Sequence, residues 1–216
     1  MLSTRLFTHR YVPARLPSDR ERLIIVLHGL GDSLHGFSFL PQALNLPEFS
    51  YLLVNAPDDY YGGFSWYDFG GQGNPVSHAG IRRSRQMLFD LLAELEGQGM
   101  AASDTYLFGF SQGCLMSVDV GLRYPKVLGG ICGVSGYVGL PEEYPEQFSA
   151  VAKQQRFLIT HGTGDPMVPF GPAAGQYAEL QKAGIAIDFR VYDKVHTIVE
   201  DELDEIREWF SALRAQ

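Results

Sequence analysis

Short, unbroken apolar runs alternate along this chain with longer segments of helical periodicity. That alternation constrains the fold more than any other feature. The runs are residues 23–27, 51–54, 106–108, 128–134, 157–160 and 185–192, and the first three lead into His28-Gly29, Asn55-Ala56-Pro57 and Gly109. An apolar run without polar alternation marks a strand buried on both faces, as in a parallel sheet. Between the runs, residues 81–95 set Met87, Leu88, Leu91, Leu92 and Leu95 on one helical stripe. Residues 112–124, 172–182 and 199–213 have the same helical spacing. The alternation predicts an α/β fold with a mostly parallel central sheet, helices on both faces and right-handed crossovers. Within residues 2–12, the stretch 6–12 reads as an antiparallel edge strand. The chain has 216 residues and no fixed-period repeat, charge block or Ser/Gly linker, so one domain over 1–216 is expected.

Composition removes several classes of function. Lys+Arg 17 against Asp+Glu 25 gives a net charge of −8, which argues against nucleic acid and anionic membrane surfaces as partners. No run approaches the ~20 apolar residues that span a bilayer, so no integral membrane association is expected. Two cysteines, Cys114 and Cys132, make neither a disulfide framework nor a Cys-x-x-Cys zinc site. The first 22 residues are Arg-rich and hold no acid before Asp19, so a mitochondrial presequence competes with the reading of 6–12 as a strand. Pro13 and Pro17 would break the amphipathic helix that a presequence needs. No apolar signal region is present either, so the cytoplasm is the expected compartment, with both thiols reduced.

Gly109-Phe110-Ser111-Gln112-Gly113 matches G-x-S-x-G, lying between an expected strand and an expected helix. In that setting the serine sits on a sharp turn where bulky flanking residues would clash, and its hydroxyl is a candidate nucleophile. The competing reading is a helix-capping serine. A serine hydroxyl needs a base. In this architecture the chain order is Ser, then Asp or Glu, then His. Of six histidines only His161 and His196 follow Ser111. Asp165 falls on the loop after the 157–160 strand, and only His196 lies beyond it. Both loops belong to the carboxyl edge of the sheet, where active sites of open α/β sheets collect. The expected catalytic set is therefore Ser111, Asp165 and His196, with Asp193 as the rival carboxylate and His161 as a buried structural residue. Leu27-His28-Gly29-Leu30-Gly31-Asp32 follows the first central strand, and the backbone N–H groups of Leu30 and Gln112 are the expected oxyanion donors. An ordinary Gly-rich turn is the alternative there. His28, Asp32 and His35 lack the i, i+4 helical spacing of a zinc protease, and no phosphate-binding glycine loop occurs, so neither metal nor cofactor is expected.

Residues 55–75 are rich in glycine and carry Tyr60, Tyr61, Phe64, Trp66, Tyr67 and Phe69. This loop either packs locally on the body or lines an apolar substrate pocket. In the second case Trp66, Phe64 and Tyr67 are the candidate substrate-binding residues.

The ordered series His28-Gly29-Leu30-Gly31-Asp32, Ser65-Trp66-Tyr67-Asp68, Gly80-Ile81 with Ser84, Gly109–Gly113, His161-Gly162-Thr163 with Asp165, and His196 resembles the phospholipase/carboxylesterase family of α/β-hydrolases, which includes acyl-protein thioesterases. The resemblance spans residues 23–209. It implies an α/β-hydrolase fold without a large cap domain and the same triad and oxyanion hole. It also implies activity on carboxylic esters or thioesters, no cofactor, and homodimerisation as in some members. Two departures stand out. Val195 precedes His196 where family members usually carry glycine, and the segment between Pro57 and Trp66 is shorter than in the eukaryotic thioesterases. Depalmitoylation of proteins is therefore not carried over. The expected function is a serine carboxylesterase acting on small to medium acyl esters. The alternatives are a lysophospholipase or acyl thioesterase and, from another class, a non-catalytic hydrolase-fold ligand receptor.

Overall fold

The computed structural model describes residues 2–18, 20–70 and 75–214. Among these residues seven strands form one sheet in the order β1-β3-β2-β6-β7-β8-β9. They are β1 (His9–Val12), β2 (Arg22–Leu27), β3 (Phe49–Val54), β6 (Thr105–Phe110), β7 (Gly130–Val134), β8 (Arg156–Gly162) and β9 (Ala186–Tyr192). β1 is antiparallel to β3, and every other pairing in the sheet is parallel. The expected mostly parallel α/β sheet is thus observed. The edge strand is shorter than expected, because only His9 to Val12 pair with β3. β7 begins at Gly130, so Leu128 is buried ahead of the strand.

Each central strand is apolar on both faces because helices cover both. From β2, Leu23, Ile25 and Leu27 pack into one core cluster while Ile24 and Val26 pack into the other. β6 repeats the alternation with Leu107 against Tyr106 and Phe108. The first cluster is closed by α2 (His78–Gly97), α3 (Gln112–Arg123) and α4 (Phe170–Lys182), through residues such as Leu88, Leu115 and Tyr177. The second is closed by α1 (Leu40–Leu44) and α5 (Glu200–Arg214), through Leu40, Leu44, Ile206 and Phe210. Each fully buried side chain of this size stabilises the fold by roughly 1.5–3 kcal/mol. α2 begins earlier than its apolar stripe because Ser77 caps it, its Oγ accepting the Gly80 N–H at 3.0 Å.

The first part of the aromatic segment is regular structure and not a loop. β4 (Asp58–Tyr60) and β5 (Gly63–Ser65) form a two-stranded antiparallel hairpin. Gly71 and Gly73, part of the same expected glycine-rich segment, lie outside the described residues. Among the described residues no inserted helical layer roofs the carboxyl edge of the sheet, and no helix is long and apolar enough to cross a membrane.

The topology positions the site. From β2 the chain runs outward to β3, then returns past β2 to β6, so the strand order reverses between β2 and β6. The crevice at such a reversal, outside the carboxyl ends of the strands, is where ligands of open α/β sheets bind. The loop after β2 holds Leu30, and Ser111 follows β6 directly. Parallel β8 and β9 bring Asp165 and His196 to the same edge.

Candidate active site

Ser111 has φ 55° and ψ −115°, a backbone conformation that side-chain-bearing residues rarely adopt. The two flanking glycines make this turn possible. A Cβ on Gly109 would run into the Gly113 carbonyl, and one on Gly113 into the Leu27 carbonyl at the end of β2. The spacing of G-x-S-x-G is thus a packing requirement of strand, turn and helix. Ser111 stands at the N-cap of α3, yet its side chain makes no capping bond. Its Oγ instead lies 3.0 Å from His196 Nε2.

On the other side of that ring, His196 Nδ1 lies 2.7 Å from Asp165 Oδ2. The second carboxylate oxygen, Oδ1, accepts the N–H groups of Met167 and Val168, each at 2.9 Å. Burial pushes the Asp165 carboxyl up, but the bonds from Val168, His196 and Met167 outweigh it and hold it below the usual carboxylate range. An ionised Asp165 accepts a hydrogen bond from Nδ1–H, which leaves the Nε2 lone pair facing Ser111. The Phe110 ring packs against the imidazole with centroids 4.9 Å apart. Asp193, the rival carboxylate, is exposed on the same loop as His196, and Asp165 holds the place beside Nδ1. His161 is fully buried, with Nε2 bonded to the Val168 carbonyl at 2.8 Å.

The loop after β2 comes up against Ser111. A Cβ on Gly29 would stand 3.1 Å from the Phe110 ring and 3.3 Å from Ser111 Cβ. The Gly31 N–H donates to Phe64 O at 2.9 Å, and the Phe64 N–H donates to Asp32 O at 2.9 Å, so the β4–β5 hairpin docks on this loop backbone to backbone. Gly31, at φ 77°, makes the turn. Among the described residues nothing accepts the Leu30 N–H. Gln112 opens α3, where the first N–H groups have no acceptor within the helix. Both residues border the same cleft as Ser111 and His196.

His28 is buried, with Nδ1 2.7 Å from Gly29 O and Nε2 accepting the Ala56 N–H at 3.0 Å. Burial pushes its pKa down, so the ring is neutral and both nitrogens serve to shape the loop rather than to face a metal. His35 is exposed.

The candidate substrate-binding aromatics need correction. Trp66 and Tyr67 are fully buried, and Phe64 packs tilted against the His28 ring, so none of the three borders the cleft. Trp66 Nε1 donates to His28 O at 3.0 Å, and the Tyr67 and Tyr137 hydroxyls pair at 2.9 Å. These side chains brace the cleft from behind. Its wall is formed by Phe69, Phe110, Tyr137, Met167 and Val168 around a space of about 200 Å³. Of the aromatic segment only Phe69 reaches it. Phe110 was legible as part of the serine motif, but Tyr137, Met167 and Val168 carry no sequence signal.

The Gln112 side chain is a further component that the motif does not reveal. Its Oε1 accepts the Trp66 N–H at 3.0 Å and its Nε2 donates to Tyr67 O at 3.0 Å, tying the aromatic segment to the first turn of α3.

A family described as Phospholipase/Carboxylesterase matches residues 15–214. The chain belongs to the phospholipase/carboxylesterase family. Acyl-protein thioesterase 1 of Schizosaccharomyces pombe is 37% identical to this family member over 155 residues, 68% of this chain and 69% of the relative. The crystal structure of Arabidopsis thaliana SOBER1 superposes with a TM-score of 0.81 at 27% identity, covering 90% of this chain and 99% of that one. The fold is that of α/β-hydrolase esterases, and the family's ester- and thioester-hydrolase names support hydrolysis of such bonds by this member. A rice relative named as a probable inactive carboxylesterase, Os04g0669700, is 26% identical over 214 residues, covering 91% of this chain and 86% of its own length. Turnover by a family member therefore rests on its own site.

Proposed function

We propose that this chain is a serine carboxylesterase in which Ser111, His196 and Asp165 form a catalytic triad. The observation that carries the reading is the relay itself: serine hydroxyl, imidazole and ionised carboxylate are joined by contacts of 3.0 and 2.7 Å, beside the Leu30 and Gln112 N–H groups, which meet no acceptor among the described residues. His196 Nε2 takes the Ser111 proton as Oγ attacks the acyl carbonyl. The tetrahedral oxyanion is met by the N–H groups of Leu30 and Gln112, each worth about 3 kcal/mol of transition-state stabilisation. The imidazolium, stabilised by Asp165, then protonates the leaving oxygen or sulfur, and the acyl-enzyme remains. Water, deprotonated by the same imidazole, releases the acid and restores the serine. The cleft of about 200 Å³ falls below the ~300–1,000 Å³ of pockets that enclose drug-sized ligands, which favours small to medium acyl groups. Its apolar wall favours uncharged ones. Both cysteines are buried free thiols, in keeping with the reducing cytoplasm as the compartment.

The complete relay weighs against the receptor reading. A fluorophosphonate probe tests it: a stoichiometric adduct on Ser111, and loss of hydrolysis in a folded Ser111→Ala variant, are the expected results. Wild-type turnover by Ser111→Ala would end the proposal. A chain-length series of nitrophenyl esters, run beside acyl-CoA and lysophospholipid, ranks ester, thioester and lipid substrates.

A further inference from the structure

The loop that carries His196 has Val195 at its tip side, exposed to solvent, and Lys194 turned into the protein interior. A lysine on an edge loop ordinarily keeps its ammonium in water. Here the side chain is 1% exposed, and so is shielded almost completely. Lys194 Nζ donates to both carboxylate oxygens of Glu202, at 2.5 and 2.6 Å, and to the Thr197 carbonyl at 2.8 Å. Glu202 is fully buried in the first turn of α5, and its Oε2 also accepts the Val199 N–H at 3.3 Å. The Lys194 carbonyl accepts the Gly164 N–H at 3.1 Å, from the residue next to Asp165. One ammonium therefore joins the backbone on both sides of His196 to α5, and its own residue joins that loop to the Asp165 loop.

We propose that Lys194, held by Glu202, is the positioning residue for His196, fixing the imidazole between Asp165 and Ser111. The inference rests on the triad reading and assigns its geometry to a staple outside it. Replacing one partner of a buried ion pair is costly because it strands the other charge. The cost of holding the pair in the interior is offset by a directed use of all three ammonium protons, two on the carboxylate and one on Thr197 O. Misplacement of a reacting group by about 1 Å can cost ~10²-fold in rate. A freed His196 loop would reach that range while every apolar residue of the cleft wall is still present.

The test compares wild type, Glu202→Gln, Lys194→Met and the double variant Lys194→Met/Glu202→Leu on one short-chain nitrophenyl ester, with kcat, KM and thermal midpoint measured for each. Lys194→Met is expected to lose 10- to 100-fold in kcat with KM within about twofold, and Glu202→Gln several-fold. The double variant removes both charges, so its midpoint is expected to return towards wild type. Its kcat is expected to stay at least tenfold down, because Thr197 O still lacks its donor. The low-field proton signal of the His196–Asp165 hydrogen bond is expected to weaken in the same variants. If kcat recovers together with stability in the double variant, or is wild-type in a folded Lys194→Met, the pair is merely structural and the inference falls. The triad reading is judged separately, by Ser111→Ala, and survives either result.

Discussion

Replacing Asp165 with asparagine turns the geometry of one carboxylate into a sharp expectation. Its Oδ1 accepts two backbone N–H groups, from Met167 and Val168. An asparagine keeps that arrangement only by placing its carbonyl oxygen there, because an amide nitrogen would oppose two donors. Its NH₂ group must then face His196 Nδ1, whose N–H the carboxylate accepted at 2.7 Å. Two N–H donors cannot share that contact, so the imidazole moves its proton to Nε2, the nitrogen 3.0 Å from Ser111 Oγ. The base is lost while every heavy atom stays in place. In serine hydrolases with the same relay, the wrong tautomer costs about 10⁴-fold in kcat, equivalent to ~5.4 kcal/mol at 1.36 kcal/mol per decade. Stability changes less: exchanging a charge-assisted bond for a neutral contact costs roughly 1.5–3 kcal/mol. At ~2–4 °C per kcal/mol for a chain of this size, the midpoint drops by about 3–12 °C. Steady-state hydrolysis of a nitrophenyl ester at neutral pH, read beside a thermal scan, checks both numbers, with Asp193→Asn as the control expected to stay at wild-type rate. A folded Asp165→Asn variant within tenfold of wild-type kcat would refute the tautomer argument, and a large loss in Asp193→Asn would move the carboxylate role to the rival.

Two further outcomes follow from the same geometry. Gly113→Ala drives a methyl group into the Leu27 carbonyl, which as backbone in a central strand cannot yield; a loss above ~3 kcal/mol, or about 6 °C or more in the thermal midpoint, is expected, and a midpoint unchanged from wild type would contradict it. Because the folded Asp165 carboxyl is held below its unfolded value of ~3.9, its contribution to stability is present above pH ~4 and is lost as the pH falls through the lowered folded value. The stability gap between wild type and Asp165→Asn is therefore expected to narrow below pH 4 in denaturant titrations, and a gap that widens on acidification would show that the folded carboxyl is not depressed.

The sheet was legible in the sequence because a strand covered on both faces must be apolar throughout, as residues 23–27 and 106–108 are. The placement of Ser111, Asp165 and His196 at one edge followed from chain order and from loops at strand ends. The cleft wall was not legible. The density of aromatics in residues 60–69 announced packing, but not which side each ring would take, so Trp66 and Tyr67 entered the core and only Phe69 met the cleft. The β4–β5 hairpin has strands of three residues, too short for a period to show. Lys194 left no trace, since a lysine in a polar loop reads as solvated until the carboxylate across from it is known.

The hairpin is fastened along β5 and free at its turn. Phe64 is bonded both ways to the loop after β2, whereas Tyr61 is 97% exposed and a side chain on Gly62 would meet nothing within 4 Å. Residues added between Tyr61 and Gly62 would extend into solvent and leave the backbone bonds to Gly31 and Asp32 in place. The length and sequence of that turn are thereby uncoupled from the proton-handling apparatus, which can be inherited unchanged while the turn varies.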